Sequence, residues 1–228
     1  MEAIVLAGGF GTRLREVVND VPKPMAPIAG RPFLEILLGA FAKNGFSRVV
    51  LSLGFMAEKI SGHFGYRFDG LDIAYVVEDT PLGTGGATRL AIEACIQDHV
   101  FVFNGDTYLD LEVKLLEQRW QAHRHPIVVG RQVPDTTRYG RLVVDGDRIT
   151  RFAEKGITGP GLINAGCYVL PTDALAQFPL NQPFSIETDY LVPEVARATV
   201  EWFVTEGVFV DIGIPEDYAR AQTLLAAL

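Results

Sequence analysis

The stretch AIVLAGGFGTRL, residues 3–14, decides how this chain begins to fold. Its first four residues form an apolar run typical of a buried strand. Gly8, Gly9 and Gly11 follow in a turn. Because glycine has no side chain and tolerates unusual dihedral angles, such a turn lets backbone N–H groups approach a phosphate group closely. A strand that runs into a glycine-rich turn therefore predicts a phosphate-binding loop.

Two cationic residues accompany this loop. Arg13 stands two residues after the last glycine, and Lys23 lies between two prolines in the segment PKPMAPI, residues 22–28. A guanidinium group can hold phosphate oxygens bidentately, and the prolines restrict the backbone on both sides of the lysine. The combination predicts a binding site for a polyphosphate.

The spacing of the glycines matches neither of the two most familiar nucleotide-binding loops. A dinucleotide fingerprint GxGxxG counted from Gly9 needs a third glycine where Leu14 stands. The chain also has no GxxxxGK run followed by Ser or Thr. A nicotinamide-dependent dehydrogenase and a P-loop nucleotidase are therefore disfavoured.

Short β-rich runs alternate with helical patterns through the first half of the chain. This alternation is the signature of βαβ units. It predicts an α/β fold with a Rossmann-like mixed, mainly parallel sheet flanked by helices. The expected strands are 3–6, 48–53, 73–77 and 100–103, and the expected helices are 32–45, 57–64, 84–96 and 111–123.

The second half has a more antiparallel pattern, with strands joined by turn residues such as Asp145-Gly146-Asp147. A helix is expected over 188–197, and a last one begins at Pro215. No internal repeat and no Gly/Ser linker divide the chain. We therefore expect residues 1–228 to form a single domain, the second half being built on the same sheet.

Composition limits the possible partners and surroundings. The 228 residues contain 28 acidic side chains against 20 Lys and Arg, a formal net charge of −8. This charge argues against nucleic acid and anionic membranes as main partners. No run approaches the ~18 apolar residues of a membrane span, and the first residues lack the pattern of a signal peptide. Together with only two cysteines, in apolar settings, these observations predict a cytoplasmic protein.

The glycine loop, Arg13 and the PKP segment together resemble the signature of the sugar-1-phosphate nucleotidylyltransferases, or NDP-sugar pyrophosphorylases. The resemblance extends along nearly the whole chain. It is carried by EDTPLGTGGA at 78–87, NGD at 104–106, EK at 154–155, NAG at 164–166 and DIG at 211–213. It implies a nucleotide-binding half, 1–110, and a sugar-binding half, 111–228.

The resemblance also implies individual roles. Catalytic roles fall to Arg13, Lys23, Asp106 and Lys155. The implied nucleotide-binding residues are Leu6, Ala7, Gly8, Gly9, Gly11, Thr12, Glu78, Gly83 and Thr84. Those for the sugar phosphate are Asn104, Tyr139, Gly140, Glu154, Lys155, Asn164 and Gly166.

Asp106 and Asp211 are the expected metal ligands. Mg²⁺ prefers oxygen ligands and keeps several waters, so one or two carboxylates together with phosphate oxygens are enough to bind it. Both residues follow apolar runs, and ligands of open α/β sheets lie at the carboxyl ends of strands. We expect Mg²⁺ as cofactor, with a nucleoside triphosphate and a sugar 1-phosphate as substrates.

Within the family, the motifs are most similar to the branch that transfers a guanylyl group from GTP to D-glycero-α-D-manno-heptose 1-phosphate. The carboxylate of Glu78 accepts hydrogen bonds only, which suits the adjacent N1–H and N2–H₂ donors of guanine better than uracil. Two alternatives stay open. One is a uridylyltransferase acting on N-acetylmuramate 1-phosphate or a hexose 1-phosphate, and the other is a non-catalytic module that senses nucleotide sugars.

Some polar residues also have structural interpretations. Glu187, Thr188 and Asp189 fit an acidic helix start favoured by the helix dipole. Tyr139-Gly140 fits a β-turn almost as well as a sugar contact. The four histidines have no metal-ligand spacing with the cysteines, so we expect structural or surface positions for them.

Overall fold

A computed structural model describes residues 1–9, 11, 14, 18, 20–146, 148–153 and 155–227. Its strands are β1 (Glu2–Ala7), β2 (Pro27–Ile28), β3 (Arg31–Pro32), β4 (Arg48–Leu53), β5 (Arg67–Phe68), β6 (Leu71–Val77), β7 (His99–Asn104), β8 (Thr107–Leu109), β9 (Ile127–Val133), β10 (Arg141–Asp145), β11 (Arg148–Ala153), β12 (Gly161–Pro171), β13 (Glu201–Thr205) and β14 (Phe209–Asp211). Its α-helices are α1 (Phe33–Lys43), α2 (Ala57–Phe64), α3 (Gly83–Ile92), α4 (Val113–His123), α5 (Val192–Ala196) and α6 (Pro215–Leu224). A 3₁₀ turn covers Lys23–Met25 and a π-helical turn covers Ile186–Leu191.

One ten-stranded sheet runs through the molecule in the order β10-β11-β13-β9-β12-β7-β1-β4-β6-β5. β7, β1, β4 and β6 are parallel to their neighbours in this group. β12 is antiparallel to both β7 and β9, and β10 is antiparallel to β11. The expected α/β fold with a mixed sheet is confirmed. The second half is the more antiparallel one, as predicted, but the first half also has two antiparallel pairs, β2 with β3 and β5 with β6.

The sheet has helices on both faces, and alternation along β7 shows why. Phe101 and Phe103 point into one buried cluster, which also holds Leu34 of α1 and Trp120 of α4. Val100 and Val102, on the opposite face, belong to a second cluster with residues of α3, the π-helical turn and α5. Since successive strand side chains point to opposite faces, an unbroken apolar run is what a strand covered on both sides requires.

Four expected helix starts differ from the structure by one or two residues, and two of these differences are informative. Pro32 was expected as a first helical residue, but it is extended (φ −54°, ψ 136°) in β3, and α1 begins at Phe33. The helix expected over 188–197 begins earlier, at Ile186, with a wide π-helical turn before α5. At both starts a backbone N–H group bonds a residue outside the helix: that of Phe33 donates to the carbonyl of Ala26, and that of Ile186 to the hydroxyl of Thr84, each at 3.0 Å. Helix propensity contains no information about such contacts.

The helix expected over 84–96 ends at Ile92, because a buried carboxylate captures the backbone beyond it. Glu2, 1% exposed, accepts hydrogen bonds from the N–H groups of Ile96 and Gln97 at 2.9 and 3.2 Å. The N–H of Cys95 meanwhile bonds the carbonyl of Ile92 in a tighter turn. The last turn of the predicted helix therefore does not form, and Glu2 of strand β1 accepts the backbone N–H groups of this segment instead.

The histidines lie at structural and surface positions. His99 is buried, its two ring nitrogens lying within 2.8 Å of carboxylate oxygens of Asp98 and Glu117. His123 and His125 are half-exposed beside Glu201. Among the described residues, no helix is long and apolar enough to cross a membrane.

Candidate functional site

The carboxyl ends of β1, β4, β6 and β7 meet at one edge of the sheet. The parallel register pairs Leu6 of β1 with Asn104 of β7. The N–H of Gly105 donates to the carbonyl of Leu6 at 2.9 Å. A Cβ atom at Gly105 would lie 2.7 Å from that same carbonyl oxygen, so the chain can turn here only because residue 105 is a glycine.

A first cavity of about 420 Å³ opens at this edge. It brings together most of the residues expected to bind the nucleotide, and its walls come from five separate segments of the chain. Its walls are Leu6, Ala7, Gly8, Gly9, Gly11, Lys23, Pro24, Glu78, Pro81, Gly83, Thr84, Ala87, Asn104, Gly105, Asp106 and Gly213. Five of these residues had no individual role in the prediction, although all of them lie within the motifs that carry the family resemblance: Pro24, Pro81, Ala87, Gly105 and Gly213.

Glu78 lies in the first cavity directly after β6. Its Oε2 accepts a hydrogen bond from the N–H of Leu82 at 2.8 Å, and its Oε1 lies 3.5 Å from the hydroxyl of Ser52. A Cβ at Gly8 would come within 2.5 Å of Oε1, so this oxygen faces the glycine loop. Burial raises the pKa of Glu78, while the bond from Leu82 opposes that effect. Oε2 thus stabilises the turn that follows, while Oε1 makes only the long contact with Ser52 and is available to a ligand.

Gly83 opens α3 in the left-handed region, with φ at +68°. A Cβ there would lie 2.7 Å from the carbonyl oxygen of Phe184, whose oxygen also accepts the N–H of Gly85 at 2.9 Å. This close contact joins the first cavity to the segment before the π-helical turn. Residue 83 must therefore be a glycine for two reasons, its positive φ angle and the close approach of the Phe184 carbonyl group.

Lys23 and Asp106 form an ion pair at the floor of the first cavity. The ammonium nitrogen lies 2.5 Å from Oδ2 of Asp106, and the lysine side chain is 10% exposed. Gly11 permits this placement, since a Cβ on Gly11 would lie 2.8 Å from Cβ of Lys23. The loop and the PKP segment, read separately from the sequence, are thus in contact.

Asp211 lies beside this pair, at the end of β14. Burial raises the pKa of its carboxyl group, the negative charge of Asp106 raises it further, and the charge of Lys23 opposes both. The N–H of Gly213 donates to Oδ1 of Asp211 at 2.7 Å. The two predicted metal ligands therefore act on each other electrostatically.

This carboxylate pair fits a hard divalent cation. Two aspartates and one ammonium leave a local charge of −1, and an oxygen-only donor set with room for phosphate oxygens suits Mg²⁺. Within the ranges that the structure describes, no cluster of three or more His, Cys, Asp or Glu side chains offers a complete metal cage. The rest of any coordination shell would have to come from substrate and water.

A second cavity, of about 470 Å³, adjoins the first, and Asn104 lines both. It gathers the residues expected to meet the sugar phosphate. Its walls are Asn104, Thr107, Tyr139, Gly140, Phe152, Ala153, Lys155, Asn164, Ala165, Gly166, Tyr168, Glu187, Phe209 and Asp211. Asp106 faces the first cavity and Asp211 the second, so the carboxylate pair lies where the two cavities meet.

Gly166 makes room for the residue that the cavities share. Its φ is +71°, and a Cβ there would lie 2.3 Å from Nδ2 of Asn104. Asn164, two residues earlier, accepts the N–H of Gly166 on its own Oδ1 at 3.0 Å. The NAG segment therefore shapes the wall between β7 and β12.

Glu187 and Tyr168 are cavity residues that sequence reasoning missed. The interpretation of residues 187–189 as a helix start is correct in part, since the hydroxyl of Ser185 accepts the N–H of Thr188. However, the Glu187 side chain lines the second cavity. Tyr168 lies in an apolar strand, where nothing in the pattern shows that its hydroxyl reaches a cavity wall.

Three predicted site residues, Thr12, Arg13 and Glu154, lie outside the described residues. Their assignments remain predictions. Lys155, which follows Glu154, is exposed on the wall of the second cavity.

Comparison with known proteins agrees with this geometry. The family model "Nucleotidyl transferase" matches residues 2–227. The chain belongs to this nucleotidyltransferase family. Enzymes of the family commonly use a divalent metal ion.

Several known proteins are similar to this nucleotidyltransferase along nearly its whole length. It is 37% identical over 223 residues to D-glycero-α-D-manno-heptose 1-phosphate guanylyltransferase of Aneurinibacillus thermoaerophilus, covering 97% of both chains. An enzyme of the same name from Campylobacter jejuni is 37% identical over 220 residues, covering 96% of this chain and 97% of the relative. The crystal structure of HddC from Yersinia pseudotuberculosis complexed with GMP-PN superposes with a TM-score of 0.86, at 37% identity and 97% coverage of both chains.

Proposed function

We propose that this nucleotidyltransferase transfers the guanylyl group of GTP to D-glycero-α-D-manno-heptose 1-phosphate and releases pyrophosphate. The observation that carries the proposal is the meeting of two cavities at Asn104, with Lys23 and Asp106 on one side and Asp211 and Lys155 on the other. Two substrates that react phosphate to phosphate require this arrangement. The full-length similarity to two enzymes with this name supports the choice of substrates.

In the proposed reaction, a phosphate oxygen of the sugar 1-phosphate attacks the α-phosphorus of GTP. The new P–O bond joins sugar phosphate to GMP, and the bond between the α-phosphorus and the oxygen bridging to the β-phosphate breaks. Because the second pKa of a phosphate monoester is ~6, the nucleophile is already ionised near neutral pH and needs no general base. Catalysis then consists of alignment and charge neutralisation.

The residues divide these tasks between the two cavities. Backbone N–H groups of the glycine loop and the ammonium of Lys23, with Arg13, would bind the triphosphate and its leaving group. Lys155 would hold the sugar phosphate against repulsion from the α-phosphate. Asp106 and Asp211 would hold Mg²⁺, which supplies positive charge at the reacting phosphates when bound.

The remaining predicted contacts follow the same division. Glu78, Gly83 and Thr84 would surround the base, with Leu6, Ala7 and Thr12 beside the nucleotide. Tyr139, Gly140, Glu154, Asn164 and Gly166 would surround the sugar. We accordingly propose that residues 1–110 and 111–228 form the nucleotide and sugar halves of one catalytic domain, acting in the cytoplasm.

The test is pyrophosphate release over a matrix of four nucleoside triphosphates and a panel of sugar 1-phosphates. We expect the highest kcat/KM for GTP with D-glycero-α-D-manno-heptose 1-phosphate. A preference for UTP with N-acetylmuramate 1-phosphate or a hexose 1-phosphate would replace this proposal with the uridylyltransferase alternative. Binding of nucleotide sugars without any pyrophosphate release would instead indicate a sensing module.

A further inference from the structure

Glu187 has no part in the proposed reaction, yet its carboxylate is held firmly at the wall of the second cavity. Three hydroxyl groups surround it. The hydroxyl of Tyr168 lies 2.8 Å from Oε1, and the hydroxyls of Thr84 and Ser185 lie 3.0 and 2.9 Å from Oε2. In the part of the chain that the structure describes, no Lys, Arg or His forms an ion pair with it.

Two of these hydroxyl groups also accept hydrogen bonds from the backbone. The hydroxyl of Thr84 accepts the N–H of Ile186 at 3.0 Å, and that of Ser185 accepts the N–H of Thr188 at 3.2 Å. A carboxylate can only accept, so each hydroxyl gives its single proton to Glu187. Oε2 therefore receives two donors, which fill its two lone-pair positions.

The third bond begins a chain that leads to Asn164. The fully buried hydroxyl of Tyr168 donates to Oε1 of Glu187 and accepts from Nδ2 of Asn164 at 2.8 Å. Oδ1 of Asn164 accepts the N–H of Gly166, which settles the orientation of the amide. The polarity of the chain is thus fixed, from the amide through the phenol to the carboxylate.

Among the described contacts, one hydrogen-bond acceptor position and one donor proton of these side chains have no partner. Oε1 of Glu187 has one lone-pair position beyond the bond from Tyr168, and Nδ2 of Asn164 has one proton beyond the bond to Tyr168. Both residues line the second cavity. By bonding both residues, the hydroxyl of Tyr168 therefore fixes the distance between the free acceptor on Glu187 and the free donor on Asn164.

We propose that Glu187 and Asn164 recognise the hydroxyl pattern of the sugar, with Glu187 as the specificity-determining acceptor. A sugar hydroxyl donates to Oε1 of Glu187, and that hydroxyl or its neighbour on the ring accepts from Nδ2 of Asn164. This inference rests on the proposed function, since it assumes that a sugar 1-phosphate occupies the second cavity. It explains why a half-buried carboxylate is retained with neutral donors, where a charge is costly unless it is used.

Steady-state kinetics of Glu187→Gln test this assignment, with GTP and the sugar 1-phosphate varied in turn. Losing one hydrogen bond to a charged acceptor should raise KM for the sugar 1-phosphate about tenfold or more. KM for GTP should change less than twofold. Glu206→Gln, a charge-matched change at an exposed position, is the control and should change neither value.

Deoxy analogues of the sugar 1-phosphate sharpen the test. On the analogue that lacks the recognised hydroxyl, wild type and Glu187→Gln should have KM values within twofold of each other. Tyr168→Phe keeps the ring but removes the hydroxyl that holds both groups, so it should raise KM for the sugar phosphate while sparing KM for GTP.

Glu187 also contacts Thr84 of the first cavity, so a purely structural role predicts a different result. Equal rises in both KM values for Glu187→Gln, or a sugar-phosphate KM within twofold of wild type in both variants, would overturn the assignment. If Glu187→Gln does not fold, the result for Tyr168→Phe decides. An inactive wild-type enzyme with every substrate pair would instead refute the proposed function.

Discussion

The ammonium of Lys23 lies 2.5 Å from Oδ2 of Asp106, joining residues 83 positions apart. The lysine neutralises one of two neighbouring carboxylates and leaves a net −1 with Asp211, which a divalent cation can use. The ammonium also lies on the wall of the first cavity, where the proposed reaction places the triphosphate. Lys23 can therefore serve both partners, as counter-ion to the aspartates and as ligand to the phosphates.

Asp106→Asn should abolish turnover while the protein stays folded. The amide keeps the shape of the side chain but removes the charge that would recruit Mg²⁺. We expect kcat to fall about 100-fold or more in a pyrophosphate-release assay at saturating Mg²⁺. Circular dichroism spectra of the two proteins should superimpose. A rate within a few-fold of wild type would mean that Asp106 is only a turn residue.

Lys155→Ala and Lys23→Ala should each weaken the binding of a different substrate. Lys155 lines the second cavity, so its loss should weaken sugar 1-phosphate binding more than triphosphate binding. Lys23 lines the first cavity, and its loss should have the opposite effect. Isothermal titration with each substrate measures both, and equal losses for either variant would contradict this division.

Glu78→Gln should reduce the preference for GTP over UTP. The amide oxygen can keep the bond from the N–H of Leu82, so the turn should survive, while an N–H₂ donor replaces the oxygen that would face the guanine donors. The discrimination lost should be about 1–3 kcal/mol, measured as the ratio of kcat/KM for GTP and UTP with one sugar phosphate. Ser52→Ala removes a weaker contact to the same side chain and serves as the comparison. An unchanged ratio would remove Glu78 as the guanine-reading residue.

Gly83→Ala should destabilise the fold and weaken nucleotide binding together. The new Cβ would meet the carbonyl oxygen of Phe184 at 2.7 Å in a left-handed backbone conformation. The strain should cost roughly 1–3 kcal/mol, which lowers Tm by roughly 2–12 °C in a protein of this size. Gly62→Ala, on the exposed face of α2 with no described atom within 4 Å of the new Cβ, should leave Tm unchanged or raise it. A normal Tm for Gly83→Ala would show that the turn can relax.

Local pattern was sufficient for the main elements, and the family motifs were sufficient for most residues of the first cavity. β4 and α2 have the bounds that periodicity predicted, because the apolar runs and their flanking glycines are local signals. The family resemblance implied binding roles for the glycine loop, Glu78 and Asn104. In the structure they lie together because each stands at the end of a parallel strand, and such strands end at one edge of the sheet.

Long-range contacts decided the rest. The end of α3 depends on Glu2, and the ion pair of Lys23 with Asp106 depends on how the PKP segment returns over the sheet. The amino-acid sequence determined the fold class, the family motifs and the residue types available for chemistry. Only the tertiary structure decided that Glu187 faces a cavity and not solvent, because its direction is set by hydroxyl groups 19 and 103 residues away in the chain.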